Sequence, residues 1–146
     1  MTSYEKIFKS FLRKVSDAEL ANRLEFNTEL AIDDMTGYLH SAVAKYNVDD
    51  RVITFDDDNQ VINEDLSDWE VEMYALGMRI EWLEPLVQAR MNISQMFGGK
   101  EEKFFSQATH LTAIRDMLNA DKLEIRKLRR DYGYHHNSYI EEGNQT

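Results

Sequence analysis

Residues 67–87 read Ser67-Asp68-Trp69-Glu70-Val71-Glu72-Met73-Tyr74-Ala75-Leu76-Gly77-Met78-Arg79-Ile80-Glu81-Trp82-Leu83-Glu84-Pro85-Leu86-Val87. Ser67 and Glu70 stand three apart ahead of an apolar run, the spacing of a capping box. There the serine hydroxyl accepts from the Glu70 amide while the glutamate reaches back to the Ser67 amide. Behind the box, Met73, Leu76, Ile80, Leu83 and Val87 recur every three or four residues, the period of one helical face. The segment predicts the longest apolar-periodic helix of the chain. Pro85 either kinks one helix or opens a second as its first residue. Gly98-Gly99 predicts a clean end.

Upstream, Arg51-Val52-Ile53-Thr54-Phe55 and Gln60-Val61-Ile62-Asn63 are β-prone runs around an Asp56-Asp57-Asp58-Asn59 turn. They predict a short β-hairpin or ordered loop near residues 51–63, which must lean on helices or on another subunit because a lone hairpin is marginal in water. Before it, a helix is expected from Asn27 or Thr28 to about Tyr46, with Leu30, Met35, Tyr38, Leu39, Ala42, Val43 and Tyr46 inward. Asp17 to Leu24 predicts a short helical turn. Ser3 caps a first amphipathic helix whose apolar face is Tyr4, Ile7, Phe8, Phe11, Leu12 and Val15, with Lys6, Lys9, Arg13 and Lys14 outside.

Downstream, a helix is expected from Phe105 to about Tyr132. Leu111, Ile114, Leu118, Ile125, Leu128 and Tyr132 form a heptad-like seam, broken by Asp121. The expected fold is mainly α: a helical bundle of about four to five helices in a single domain over 1–132, with a C-terminal tail at 133–146.

The chain has 146 residues, 42% hydrophobic and 30% charged, which places it among globular rather than disordered chains. It has no cysteine, so no disulfide framework and no thiolate metal site. Neither a signal-peptide core nor an apolar run long enough to span a bilayer is present, and the expectation is a soluble protein that does not engage a membrane. Net charge is −10, and residues 1–70 carry 16 acids against 7 bases, a net of −9. Such a surface repels a phosphate backbone, or meets a basic partner.

No catalytic set is found. An EF-hand loop from Asp56 would need glycine where Val61 stands and glutamate where Ser67 stands. His135 and His136 are adjacent and diverge, while His40 and His110 lack a second histidine one turn away. No serine sits in a nucleophile elbow, and Gly98-Gly99-Lys100 is not a phosphate loop. Glu81 and Glu84 lie one turn apart without the rest of an active site. No enzyme activity, cofactor or metal is expected. The basic stretch from Lys122 to Arg130, five bases and one acid, suits carboxylates of a neighbouring subunit, the negative end of its own helix, or phosphates.

Several runs together resemble a family. They are Asn63-Glu64-Asp65-Leu66, Ala75-Leu76-Gly77-Met78-Arg79-Ile80-Glu81-Trp82-Leu83-Glu84-Pro85, Phe105-Ser106-Gln107-Ala108-Thr109-His110-Leu111 and Arg130-Asp131-Tyr132-Gly133-Tyr134. In order and spacing, over roughly residues 4–134, they resemble the neck, or head–tail connector, proteins of tailed bacteriophages. The resemblance implies a structural adaptor of the virion neck, assembled in the host cytoplasm. It implies a homo-oligomeric ring, twelve copies to match the portal protein, joined to another neck or tail-terminator protein. DNA would pass through its channel without specific binding. The interface expected on this reading is Arg126, Lys127, Arg129, Arg130, Tyr132, Tyr134 and Tyr139, within a segment 126–140 that docks on the portal or the adjacent subunit. Truncation after Lys122 is then expected to leave the helical domain folded. The alternative is an acidic binding protein, or nucleic-acid mimic, that inhibits a basic partner.

Overall fold

The computed structural model describes residues 1–15, 27–48, 51–96 and 102–135, with side-chain positions except at 90, 92–96, 102–110, 134 and 135. Within them lie four helices, α1 (Tyr4–Lys14), α2 (Thr28–Tyr46), α3 (Asp68–Met96) and α4 (Glu102–His135). Three two-residue strands, β1 (Thr2–Ser3), β2 (Phe55–Asp56) and β3 (Val61–Ile62), complete the fold. The expected turn at Asp17 to Leu24 and the Gly98-Gly99 stop lie outside the described residues.

α3 is the axis. α1, α2 and α4 each pack on it, so a single helical stripe would not suffice. Val71, Met73, Tyr74, Ala75, Leu76, Met78 and Ile80 are all buried, making the first half of α3 apolar nearly all round. Its start is the capping box: the Glu70 amide donates to Ser67 Oγ at 3.2 Å, and the Ser67 amide donates to Glu70 Oε1 at 3.2 Å. Pro85 lies inside one continuous helix and does not open a second. Proline has no N–H, so the Glu81 carbonyl lacks its usual helical donor there.

Asn27 caps α2, its side chain accepting from the Leu30 amide at 3.2 Å. The buried face of α2 is Ala31, Met35, Leu39, Ala42 and Val43, while Leu30, expected inward, is 49% exposed in the first turn. At Gly77, α2 and α3 approach closely. A Cβ there would stand 2.9 Å from Ala42 Cβ and 2.8 Å from Tyr46 Cδ2.

The hairpin forms where expected, with Phe55 opposite Ile62 and Asp56 opposite Val61. It gains a third strand from the N-terminus, Thr2 pairing with Ile62 and Ser3 with Val61, in the order β1-β3-β2. Gln60 closes the turn at φ 54°, a conformation that costs a side chain about 1 kcal/mol. The Tyr4 amide donates to its carbonyl at 2.9 Å, joining the turn to the start of α1.

α4 begins three residues before the expected start and ends three after the expected end, running through Gly133. Ile114, Leu118, Asp121 and Ile125 are buried on α3, with Leu111, Leu128 and Tyr132 half-buried. Asp121, the break in the apolar seam, meets Arg79 Nε of α3 at 2.8 Å. Arg79 also donates from Nη1 to the Lys14 carbonyl at 2.9 Å, so one guanidinium joins α1, α3 and α4. Among the described residues no helix is long and apolar enough to cross a membrane.

Candidate functional site

A helix that packs along one seam leaves most of its circumference outside. α4 does so, and its outward face near the C-terminal end carries the sequence-predicted residues. Leu123 stands opposite the seam and is 66% exposed. One turn on, Arg126, Lys127 and Arg130 are exposed around it. Within the described residues several bases meet a carboxylate of another element: Lys6 with Asp68 at 3.0 Å, Lys14 with Glu72 at 2.7 Å, Lys45 with Glu81 at 2.6 Å, Arg51 with Glu70 at 2.5 Å, and Lys122 with Glu84 at 2.9 Å. Arg126 and Lys127 form no ion pair among those residues, and Arg130 only approaches its neighbour Asp131 at 3.6 Å. In a chain with a surplus of acid, Arg126 and Lys127 thus stand without an ion pair among the described residues.

The remaining members of the predicted set divide. Arg129, though exposed, donates from Nη2 to the Asn47 carbonyl at 3.3 Å, at the C-terminal end of α2. Tyr132 stacks on Trp69 at the start of α3, ring centroids 4.6 Å apart. Tyr134 falls on the last turn of α4 with its side chain outside the described part, and Tyr139 lies outside the described residues. The structure therefore groups Arg126, Lys127 and Arg130 on one face and gives Arg129 and Tyr132 internal contacts. The end of α4 is not a separable tail. A chain cut after Lys122 would lose Ile125, which is 1% exposed, together with Leu128 and Tyr132. That correction follows from the seam continuing past Lys122 into the core.

The acidic turn forms a second constellation. Asp57 accepts a 2.5 Å hydrogen bond from the hydroxyl of buried Tyr4 and lies 2.9 Å from His40 Nε2. The His40 ring stacks on Phe55 with centroids 4.0 Å apart. The Tyr4 and His40 hydrogen bonds hold the Asp57 carboxyl below the usual carboxylate range. Burial, then Asp57, pushes the Tyr4 phenol well above its ordinary value. Asp56 accepts from the Asn59 side chain at 2.8 Å and its amide at 3.0 Å. These contacts fasten the hairpin to α1 and α2. Among the described residues no three metal-ligating side chains converge.

A mixed groove of about 260 Å³ between α1 and α3 is lined by Lys6, Lys9, Ser10, Arg13, Asp68, Val71 and Glu72, with Lys6 paired to Asp68 and Ser10 donating to Glu72 across it. Glu81 and Glu84, one turn apart, each hold a lysine from a different helix, Lys45 of α2 and Lys122 of α4.

Sequence reasoning missed the roles of Arg79, Arg129 and the Tyr4–Asp57–His40 set. Their partners are tens of residues away, and no local spacing signals them. Compared with protein-family models, with curated proteins and with solved structures, the chain matches none.

Proposed function

We propose that this chain is a non-enzymatic adaptor that docks on other proteins through the outward face of α4, and that the assembly is a phage neck. The carrying observation is the cluster Arg126, Lys127 and Arg130, exposed around Leu123, with no ion pair among the described residues beyond Arg130 and its neighbour Asp131, in a chain of net −10. An apolar centre ringed by arginine and lysine suits a protein surface that offers carboxylates, because burying Leu123 and desolvating arginine at an interface supply energy that water-exposed ion pairs do not.

The resemblance to head–tail connectors supplies the rest of the reading. The chain joins the portal vertex to the next neck or tail component as a ring, twelve copies on the portal, and lengthens the DNA channel in the virion. An acid-rich first half supports a channel wall that does not grip DNA. The nucleic-acid-mimic alternative draws less support. Asp57, Glu70, Glu72, Glu81 and Glu84 are engaged by groups of this chain rather than displayed as a row of phosphate-like charges.

The test mixes the chain with the portal protein and weighs the complex by native mass spectrometry. A closed ring with one copy per portal subunit is expected. Arg126→Glu/Lys127→Glu/Arg130→Glu should abolish joining with the helical circular dichroism unchanged. A chain that stays monomeric beside the portal, or a triple variant that still joins it, counts against the reading.

A further inference from the structure

The sequence marks Arg51 to Phe55 as one β-prone run, yet only Phe55 and Asp56 are paired as a strand. The register shows what is left over. The Asn63 amide donates to the Thr54 carbonyl at 3.1 Å, and Asp56 lies opposite Val61, so Thr54 and Asp56 turn their main chain toward β3. By alternation, the N–H and C=O of Ile53 and Phe55 point the other way, off the sheet. β2 is an outer strand in the order β1-β3-β2, and no hydrogen bond to the main chain of Ile53 is present among the described residues.

The side chains along this edge also alternate. Ile53 and Phe55 are half-buried toward the helices, and Phe55 lies against His40. Val52, Thr54 and Asp56 belong to the other face, and Val52 is 72% exposed. Proteins usually blunt such an edge with lysine, proline or a bulge. Residues 52–55 are Val-Ile-Thr-Phe, with no lysine or proline. The inner side of the same strand is over-provided: Glu64 accepts from both the Thr54 amide and its hydroxyl at 2.8 Å, and the Asn63 side chain donates to Thr54 Oγ1 at 2.9 Å. The edge is therefore held in extended form, and among the described residues it has no outer neighbour.

Charge says what would fit. The strand runs into Asp56, Asp57 and Asp58, and the hairpin tip has no base of its own. A second copy of this chain is a poor occupant. Arg51, the base it would bring to Asp56, is already held by Glu70 at 2.5 Å and by the Asp65 carbonyl at 2.6 Å.

We propose that the outer edge of β2, from Val52 to Asp56, receives an extended segment of a partner protein as a fourth strand, with a lysine or arginine of that segment set against Asp56 and Asp58. Main-chain hydrogen bonds to Ile53 and Phe55 supply the affinity, and the basic residue supplies the register. This surface is distinct from the α4 face, and its occupancy does not depend on a portal.

The test uses the full chain, isotope-labelled, and a short blocked peptide alternating valine and threonine with a lysine at each end. Binding should slow amide exchange at Ile53 and Phe55 by about tenfold or more at saturation, because exchange then waits on dissociation. The same peptide with glutamate for lysine, and one methylated on alternate backbone nitrogens, should each bind at least about tenfold more weakly. Val52→Lys should weaken binding without changing the spectrum elsewhere, since Val52 is exposed. No binding at millimolar peptide, protection that maps to another element, indifference to N-methylation, equal binding of the glutamate peptide, or a doubling of the mass without peptide would each overturn the proposal.

Discussion

Alanine placed at two glycines of neighbouring helices should move stability in opposite directions. In a helix interior, glycine is about 1 kcal/mol worse than alanine, so Gly37→Ala and Gly77→Ala begin with the same gain. At Gly37 nothing lies within 4 Å of the added methyl, and the gain stands. At Gly77 the methyl would meet Ala42 Cβ at 2.9 Å and Tyr46 Cδ2 and Cε2 at 2.8 and 3.2 Å. Carbon atoms rest at roughly 3.5–4.0 Å, so the contact is short by over half an ångström. Tyr46 is half-buried and its ring can swing, but Ala42 Cβ is fixed to the backbone of α2, so the helices must part. Overpacking of this kind costs about 1–3 kcal/mol. The net for Gly77→Ala is a loss of up to about 2 kcal/mol, against a gain of about 1 kcal/mol for Gly37→Ala. Urea midpoints at unchanged slope would read both, and thermal midpoints should separate by several degrees. Ala42→Gly in the Gly77→Ala background should recover part of the loss, a coupling of about 1 kcal/mol. The reasoning fails if Gly77→Ala stabilises as much as Gly37→Ala, or if Ala42→Gly adds its own penalty without relief.

Ser67→Ala should lower stability by about 1 kcal/mol through loss of the cap on α3, and an unchanged melting curve would mean that Glu70 alone suffices. Asp121→Leu should destabilise by about 1–3 kcal/mol by leaving Arg79 without its carboxylate, whereas Arg79→Leu/Asp121→Leu should recover most of that loss in the same denaturation assay. Stability contributed by Asp57, whose folded carboxyl is held low by Tyr4 and His40, is present above the ordinary aspartate range near pH 4 and is lost as pH falls through the folded value. Denaturation midpoints between neutral pH and pH 3 should accordingly fall more steeply for the native chain than for Asp57→Asn. Burial of Asp121 raises its carboxyl, so that group works in the opposite sense, favouring the fold as it takes up a proton.

What was legible in the sequence was local. The Ser67–Glu70 box, the Asn27 cap and the inward face of α1 each rest on residues within one or two turns, and each is found in place. The hairpin was legible as two β-prone runs around a turn, but its third strand was not, because two residues at the N-terminus carry no pattern. Leu30 was misplaced because periodicity assigns a face without saying where the neighbouring helix stops. The tail expected from Gly133 does not begin there, since α4 passes through Gly133 to His135 with the apolar seam reaching Tyr132 and Trp69 covering that end. Of the expected docking set, charge alone pointed to Arg126, Lys127 and Arg130. Whether an arginine faces a partner or a helix end of its own chain, as Arg129 does, depends on residues far away in sequence.

The single seam between α4 and α3 has a consequence for how the molecule opens. α1 and α2 contact α3 on its other sides, and the sheet contacts α1, so α4 can separate while those packing contacts stay in place. Among the described residues the seam, the Arg79–Asp121 and Lys122–Glu84 pairs, the Trp69 stack and the Arg129 hydrogen bond to the Asn47 carbonyl must be given up. Native-state hydrogen exchange should therefore resolve two cooperative units: α4 opening first, and the remaining helices and sheet opening only with global unfolding. The basic face is carried on the unit with the smaller opening free energy, so a partner that binds there would raise the protection of all of α4 at once.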